Sequence, residues 1–126
     1  MNDLTGLSVL LLEDEYLIAL DAAEILKTLG AREVEIVASF EQAERRAAEG
    51  QFDLAVLDVN INGRFSFPIA GTIGKRGIPF VFATGYELGN RPESGLDGVV
   101  CVTKPYTRDR LKNALTAAMA KTAPKQ

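Results

Sequence analysis

Residues 7–14 read LSVLLLED, a short apolar run that ends in two acidic residues, and the fold prediction starts from this pattern. The run is far shorter than the ~20 apolar residues of a membrane span, and a buried strand fits it better than a helix fragment. Similar apolar runs follow at residues 34–38, 54–57, 78–83 and 99–102. Because longer segments with helical periodicity separate the runs, the sequence predicts βαβ units and a parallel sheet of five strands, the first at residues 7–12.

The segments between the strands predict about four good helices. In residues 15–29, one apolar face is formed by Ile18, Ala22, Ile25 and Leu29. A second helix begins at a capping box formed by Ser39 and Gln42 and ends at Gly50. Residues 68–76 give a weaker helix signal, because Gly71 and Gly74 each cost about 1 kcal/mol relative to alanine.

The last helix has a clear sequence signal, whereas the connection before it has a weak one. Thr107 is predicted to cap a final helix whose sheet-facing residues are Leu111, Ala114, Leu115, Ala118 and Met119. Residues 84–98, TGYELGNRPESGLDG, contain four glycines and Pro92, so we expect a short, distorted or absent helix there. Residues 1–121 are therefore interpreted as one domain, and residues 122–126 as a frayed tail.

Composition excludes several classes of function. The chain has 126 residues, 47% hydrophobic and 25% charged, which is typical of one globular domain. A net charge of −3 argues against non-specific binding to nucleic acid or to anionic membranes. The single cysteine, Cys101, rules out an internal disulfide and suits the cytoplasm, where we expect the protein to lie. The chain contains no histidine, so it cannot by itself build a phosphohistidine relay or a Ser-His-Asp triad.

Polar residues follow four of the predicted strands at the edge where ligands of parallel sheets gather. They are Glu13 and Asp14 after the first strand, Asp58 after the third, Thr84 after the fourth and Lys104 after the fifth. Three converging carboxylates repel one another unless a cation neutralises them, and Mg²⁺ prefers oxygen ligands of this kind. The set predicts a magnesium site in which Asp58 is the nucleophile toward a phosphoryl group, while Lys104 and Thr84 contact the phosphoryl oxygens.

Each of these residues also has an ordinary structural interpretation. An acidic pair after a strand is commonly a helix cap, and a lone aspartate at a strand end is commonly a turn residue. Thr84 could cap a loop, and Lys104 could be a solvated charge before a proline. The functional interpretation is favoured because all five residues fall on the same edge of one predicted sheet.

In this order and spacing, Glu13-Asp14, Asp58, Thr84 and Lys104-Pro105 resemble the receiver domains of two-component response regulators. The resemblance covers nearly the whole chain and implies a flavodoxin-like (CheY-like), doubly wound parallel sheet of strand order 2-1-3-4-5. It implies that Mg²⁺ is bound by Glu13, Asp14, Asp58 and the backbone carbonyl of Asn60. It also implies a bacterial single-domain signalling phosphoacceptor rather than an enzyme, with a histidine kinase or histidine phosphotransferase as its partner. A downstream protein partner, and a monomer or a phosphorylation-dependent dimer, are further expectations of the resemblance.

A narrower resemblance lies in residues 79–86, PFVFATGY, which are similar to the PFxFATG motif, ending in G or Y, of FAT GUY receivers. That subgroup is found largely in alphaproteobacteria. Receivers typically carry Tyr or Phe three residues before the lysine, where this chain has Cys101. Tyr86 is a candidate substitute in the switch formed with Thr84, or else an exposed loop tyrosine. Cys101 is predicted to be a small buried core residue rather than a redox sensor.

Two other functions are compatible with this fold. A small phosphohydrolase with an aspartate nucleophile is disfavoured because Asn60, not a second aspartate, stands two residues after Asp58. A phosphorylation-independent interaction module is disfavoured because the acidic set is intact. For a receiver, the output could be a message to a downstream protein or the draining of phosphate from a kinase.

Overall fold

The computed structural model describes residues 4–84 and 99–122 as an α/β fold. The strands are β1 (Ser8–Leu12), β2 (Glu33–Val37), β3 (Leu54–Asp58), β4 (Asn60–Ile61), β5 (Arg64–Phe65), β6 (Phe80–Thr84) and β7 (Cys101–Thr103). The helices are α1 (Tyr16–Thr28), α2 (Phe40–Glu49), α3 (Phe67–Lys75) and α4 (Arg108–Thr122). The predictions for the connection at residues 85–98, including Tyr86, and for the tail at 123–126 concern residues outside those described.

Five strands form one parallel sheet of order β2-β1-β3-β6-β7. Counted along the chain within this sheet, the order is 2-1-3-4-5, so the predicted flavodoxin-like topology is confirmed. β6 begins at Phe80 rather than at residue 78, because Pro79 has no N–H to donate to the ladder. Within the described ranges, no helix is both long enough and apolar enough to cross a bilayer.

Alternation along the strands divides the core into two layers. Leu11, Val56 and Val102 face a cluster formed with α1 and α4, whereas Leu12 and Leu57 face a cluster formed with α2 and α3. Successive side chains of a strand point to opposite faces, so the two layers follow directly from the sequence of the central strands. Because those strands are buried on both faces, their runs are continuously apolar.

The predicted apolar face of α1 packs against the core, but its four residues are buried to different degrees. Ala22 and Leu29 are buried as expected, but Ile18 and Ile25 are only half-buried. The centre of the helix contact is instead formed by Ala19, Ala22, Ala23 and Leu26. The small alanines allow the helix backbone to lie close to the sheet, and the larger isoleucines are displaced to the rim of the contact.

The predicted caps of two helices are confirmed. The Ser39 side chain accepts a hydrogen bond from the Gln42 N–H at 3.1 Å, and Gly50 is the C-cap of α2. The Thr107 hydroxyl accepts one from the Arg110 N–H at 3.1 Å. In α4, Leu111, Ala114, Leu115 and Ala118 are buried and Met119 packs at the edge of the cluster, so this face was correctly predicted.

A two-stranded antiparallel hairpin, β4–β5, follows β3 and was not predicted. Its two-residue turn consists of Asn62 and Gly63, with φ angles of 51° and 86°. An Asn-Gly pair is the commonest signal for a tight hairpin turn with positive φ at both positions. The sequence therefore did contain this information, and the turn lies immediately beyond Asp58.

Candidate functional site

Glu13 and Asp14 follow β1 and differ in their surroundings. The Glu13 carboxylate is buried, and its Oε2 accepts a hydrogen bond from the Glu15 N–H at 3.1 Å, at the start of α1. Asp14 Oδ2 accepts one from the Asn62 N–H at 3.0 Å, in the turn of the hairpin. Asp14 was considered as a cap for α1, but the N-cap residue is Glu15, and Asp14 instead connects the acidic pair to the β4–β5 hairpin.

Asp58 is the last residue of β3 and is only 7% exposed. Its Oδ1 accepts a hydrogen bond from the Asn60 N–H at 3.3 Å, and its Oδ2 accepts one from Lys104 Nζ at 2.8 Å. Its backbone carbonyl accepts a hydrogen bond from the Ser66 hydroxyl at 2.6 Å. Contacts on both carboxylate oxygens and on the main chain therefore hold Asp58 in one orientation.

Lys104 joins the two buried carboxylates. Its Nζ lies 2.8 Å from Glu13 Oε1 and 2.8 Å from Asp58 Oδ2, and its side chain is only 18% exposed. Its backbone N–H donates to the Thr84 carbonyl at 3.0 Å, which extends the β6–β7 ladder to the site. Burial alone would lower the pKa of Lys104, but the carboxylates of Asp58 and Glu13 outweigh it and raise the pKa. Lys104 is therefore a firmly protonated cation.

The period of the strands explains why these three groups meet. Val56 and Val102 face the α1–α4 layer, so Asp58 and Lys104, two residues further along each strand, continue on the same face. Glu13 likewise lies two residues beyond Leu11, which also faces the α1–α4 layer. The structure thus brings Glu13, Asp58 and Lys104 together because each continues an inward-facing row of a different strand.

Carboxylate oxygens of Glu13, Asp14 and Asp58 all lie within 4.8 Å of one another. Burial, and to a smaller extent the charge of Asp58, raise the pKa of Glu13, and the proximity of Lys104 opposes this shift. Among the ion pairs of the described residues, Lys104 is the one cation of this cluster. Three close carboxylates with one ammonium leave excess negative charge, and an all-oxygen donor set of this kind fits a hard divalent cation such as Mg²⁺.

The remaining predicted site residues have different positions. Thr84 is buried at the carboxyl end of β6, beside the strand that carries Asp58. Asn60 begins β4, two residues beyond Asp58, and its carbonyl as a ligand stays a prediction. Cys101 was predicted to be buried and is exposed. Its strand, β7, is the last in the sheet order, and the neighbouring Val102 takes the inward position, so Cys101 lies on the opposite face.

Sequence reasoning missed two residues of this edge. Ser66 is completely buried where the hairpin returns to α3, and nothing in its sequence context distinguishes it from an ordinary N-cap. Tyr106 is 6% exposed, and its pKa is raised by burial and further by the charges of Glu13 and Asp58. An aromatic residue so close to Lys104 in sequence was a usable signal for a residue near the site.

Comparison with known proteins places this fold and site in a family, although no family model matches the chain. SdrG from Sphingomonas melonis Fr1 is 37% identical, with 94% of this chain and 99% of that one covered and a TM-score of 0.77. The receiver domain of the sensor histidine kinase PA1611 from Pseudomonas aeruginosa PAO1 is 25% identical, with 92% and 99% covered and a TM-score of 0.76. That domain was solved with a magnesium ion coordinated in its active-site cleft.

A curated relative agrees with these structures. The sensory transduction protein LytT from Bacillus subtilis is 31% identical over 112 residues, which is 86% of this chain. The chain spans 46% of LytT, or about half of that relative's length. Together with the parallel sheet and its acidic edge, these similarities define a signalling domain of the α/β class. The chain belongs to the receiver domains of two-component response regulators.

Proposed function

We propose that this domain accepts a phosphoryl group on Asp58 from the phosphohistidine of a kinase or phosphotransferase in the cytoplasm, and that this changes its protein–protein interactions. The observation that carries the proposal is the meeting of Glu13, Asp14 and Asp58 with Lys104, whose Nζ is 2.8 Å from two of the carboxylates. Phosphoryl transfer depends mainly on positioning and charge neutralisation, and this cluster supplies both.

The chemistry assigned to each residue follows from its position. Asp58 attacks phosphorus in line with the phosphohistidine nitrogen, so an O–P bond forms as the N–P bond breaks and the histidine is released. Lys104 moves from the carboxylates to the phosphoryl oxygens, and the Thr84 hydroxyl donates to one of them. Mg²⁺ would be held by Glu13, Asp14, Asp58 and the Asn60 carbonyl, and when bound it neutralises phosphoryl charge. The domain is proposed to act only on itself, as a phosphoacceptor, and not as an enzyme with turnover.

Intact mass after incubation with acetyl phosphate tests this proposal. We expect one phosphoryl adduct that requires Mg²⁺, is labile at alkaline pH and is absent from Asp58→Asn. Asp21→Asn, an exposed aspartate on α1, is the matched control and should be labelled like the wild type. An adduct that persists in Asp58→Asn, or labelling that is unaffected by removal of Mg²⁺, would contradict the proposal.

The surface beside the acidic edge supports docking of the partner there. Tyr16, Leu17 and Leu20 begin α1 directly after the acidic residues, and they are 71%, 78% and 43% exposed. Exposed apolar side chains grouped at one place commonly mark a contact surface. A partner seated on this end of α1 would bring its phosphohistidine close to Asp58.

Transfer from a phosphorylated kinase or phosphotransferase tests the docking surface. Leu17→Ser should slow transfer from the partner about tenfold, as expected for a residue at the centre of an interface, while labelling by acetyl phosphate is unchanged. Lys27→Ser is the control, because Lys27 is exposed on the same helix about 15 Å from Leu17. Equal transfer rates for the two variants would exclude this surface.

The subgroup and the output of the switch are part of the same proposal. The PFVFATGY segment supports membership of the FAT GUY receivers. A message to a downstream protein and a drain of kinase phosphate differ in whether the phosphorylated domain binds a new protein. A pull-down with phosphorylated and unphosphorylated protein detects the message. Loss of kinase phosphate without a phosphorylation-dependent partner indicates the drain.

A further inference from the structure

Tyr106 is a buried phenol whose hydroxyl takes no part in the proposed phosphoryl transfer. Its ring packs in the core layer of α1 and α4, and its hydroxyl is buried with no hydrogen-bond partner among the described residues. Phenylalanine would fill the same space without burying an unpaired polar group, which is unfavourable. The hydroxyl is therefore expected to have a partner in another state of the protein.

The surroundings of Tyr106 indicate which group that partner is. Tyr106 lies in the same core layer toward which Glu13 and Asp58 continue their strand rows. The negative charges of these two carboxylates add to burial in raising the pKa of Tyr106, and the contribution of Glu13 is the larger. Glu13 Oε1 is itself a buried oxygen, and its partner among the described residues is the Lys104 ammonium. A hydroxyl without a partner and a carboxylate oxygen that depends on Lys104 thus occur on one side of the sheet.

Lys104 satisfies the Glu13 oxygen in the unphosphorylated protein. Its ammonium forms an ion pair with Glu13 Oε1 at 2.8 Å and also binds Asp58. If Lys104 turns to a phosphoryl group on Asp58, that oxygen loses the ammonium that donates to it. A buried carboxylate oxygen left without a donor would oppose the change, even where Mg²⁺ compensates the charge of Glu13.

We propose that the Tyr106 hydroxyl becomes the hydrogen-bond donor to Glu13 when Lys104 leaves that carboxylate for a phosphoryl oxygen. The inference rests on the proposed function, because phosphorylation of Asp58 is what draws Lys104 away. Tyr106 contacts no reacting atom in this scheme, so it is a positioning residue that stabilises the phosphorylated state.

The test compares the wild type with Tyr106→Phe, which removes only the hydroxyl. Beryllofluoride with Mg²⁺ serves as a non-covalent substitute for the phosphoryl group, and calorimetric titration measures its affinity. We expect about tenfold weaker binding of beryllofluoride by the variant, the effect of losing one hydrogen bond to a charged group. We also expect the ligand-free variant to be as stable as the wild type or more stable, because the hydroxyl is unpaired in that state.

The opposite signs of these two effects separate this role from an ordinary core hydrogen bond. A ligand-free Tyr106→Phe that is less stable, with unchanged beryllofluoride affinity, would overturn the inference. Equal affinity and equal stability would also overturn it while leaving the proposed function intact. If the wild type neither binds beryllofluoride nor is labelled on Asp58, the proposed function fails and the inference fails with it.

Discussion

Replacement of Lys104 by methionine tests the electrostatics of the acidic edge most directly. Methionine keeps an unbranched apolar side chain and removes the ammonium that lies 2.8 Å from both Glu13 and Asp58. The carboxylate side chains left behind are 0% and 9% exposed, so water cannot readily solvate them. Removing one partner of a buried ion pair typically destabilises a protein by about 3–5 kcal/mol, and we expect a loss of this size at neutral pH without divalent cations.

Protonation of Glu13 limits the loss and gives it a pH dependence. The pKa of Glu13 is already raised by burial, and without Lys104 the opposing influence is gone. A carboxyl whose pKa is higher in the folded than in the unfolded state makes folding less favourable as pH rises through that window. The stability of Lys104→Met should therefore recover by up to about 1.4 kcal/mol per pH unit as pH falls from the raised folded-state pKa of Glu13 toward the ordinary pKa of a glutamate in the unfolded chain. The wild type should show a much smaller recovery.

Urea unfolding near neutral pH and in mild acid, each with and without Mg²⁺, measures these effects. Mg²⁺ should restore much of the stability of Lys104→Met, because a divalent cation replaces the missing positive charge. Lys75→Met is the matched control: Lys75 is exposed in the last turn of α3, so its loss should cost less than about 1 kcal/mol. A loss below about 1 kcal/mol in Lys104→Met, or one that responds to neither pH nor Mg²⁺, would refute the reasoning.

Two further predictions concern alkaline pH and the main chain of Asp58. Wild-type stability should fall as pH rises above about 10. The pKa values of Tyr106 and Lys104 are raised in the folded protein, so both groups bind their protons more tightly there than in the unfolded chain. The stabilisation that this provides is lost as pH rises through the folded-state pKa values. Tyr106→Phe should flatten that fall in urea midpoints. Ser66→Ala should lose about 1–3 kcal/mol, because it leaves the buried Asp58 carbonyl without its donor. Thr28→Val, which removes an exposed hydroxyl from a backbone carbonyl, should change stability by less than about 0.5 kcal/mol in the same assay.

The sequence predicted the acidic edge because it depends on short-range periodicity. An apolar run ends where its strand ends, so Glu13, Asp58 and Lys104 could be placed at one edge without knowing any distance. Cys101 was placed wrongly because the apolar run at residues 99–102 does not reveal which residues of an outer strand face inward. The pairing of Asp14 with the Asn62 N–H depends on a contact across 48 positions of sequence, which no local pattern encodes.

The β4–β5 hairpin and the position of Tyr106 near the site were missed although each has a signal in the local sequence. The Asn62-Gly63 pair predicts a tight turn by itself, and its consequence is that Asp14 acquires a main-chain partner from the segment beyond Asp58. Tyr106 is an aromatic residue next to a predicted site, and only its burial and the unpaired hydroxyl distinguish it from a core residue. Such a hydroxyl is visible only in the packed structure.

The contacts of Lys104 imply an order of events. In the unphosphorylated state its ammonium occupies Asp58 Oδ2, one of the two oxygens on the proposed nucleophile, and also holds Glu13. Lys104 can turn toward a phosphoryl group only when something else compensates both carboxylates. A divalent cation held by Glu13, Asp14 and Asp58 would compensate their charge, but the buried Oε1 of Glu13 would still lose the ammonium that contacts it. Release of Lys104 therefore requires a cation that compensates the charge and a new hydrogen-bond donor for Glu13, so the metal alone does not complete the switch.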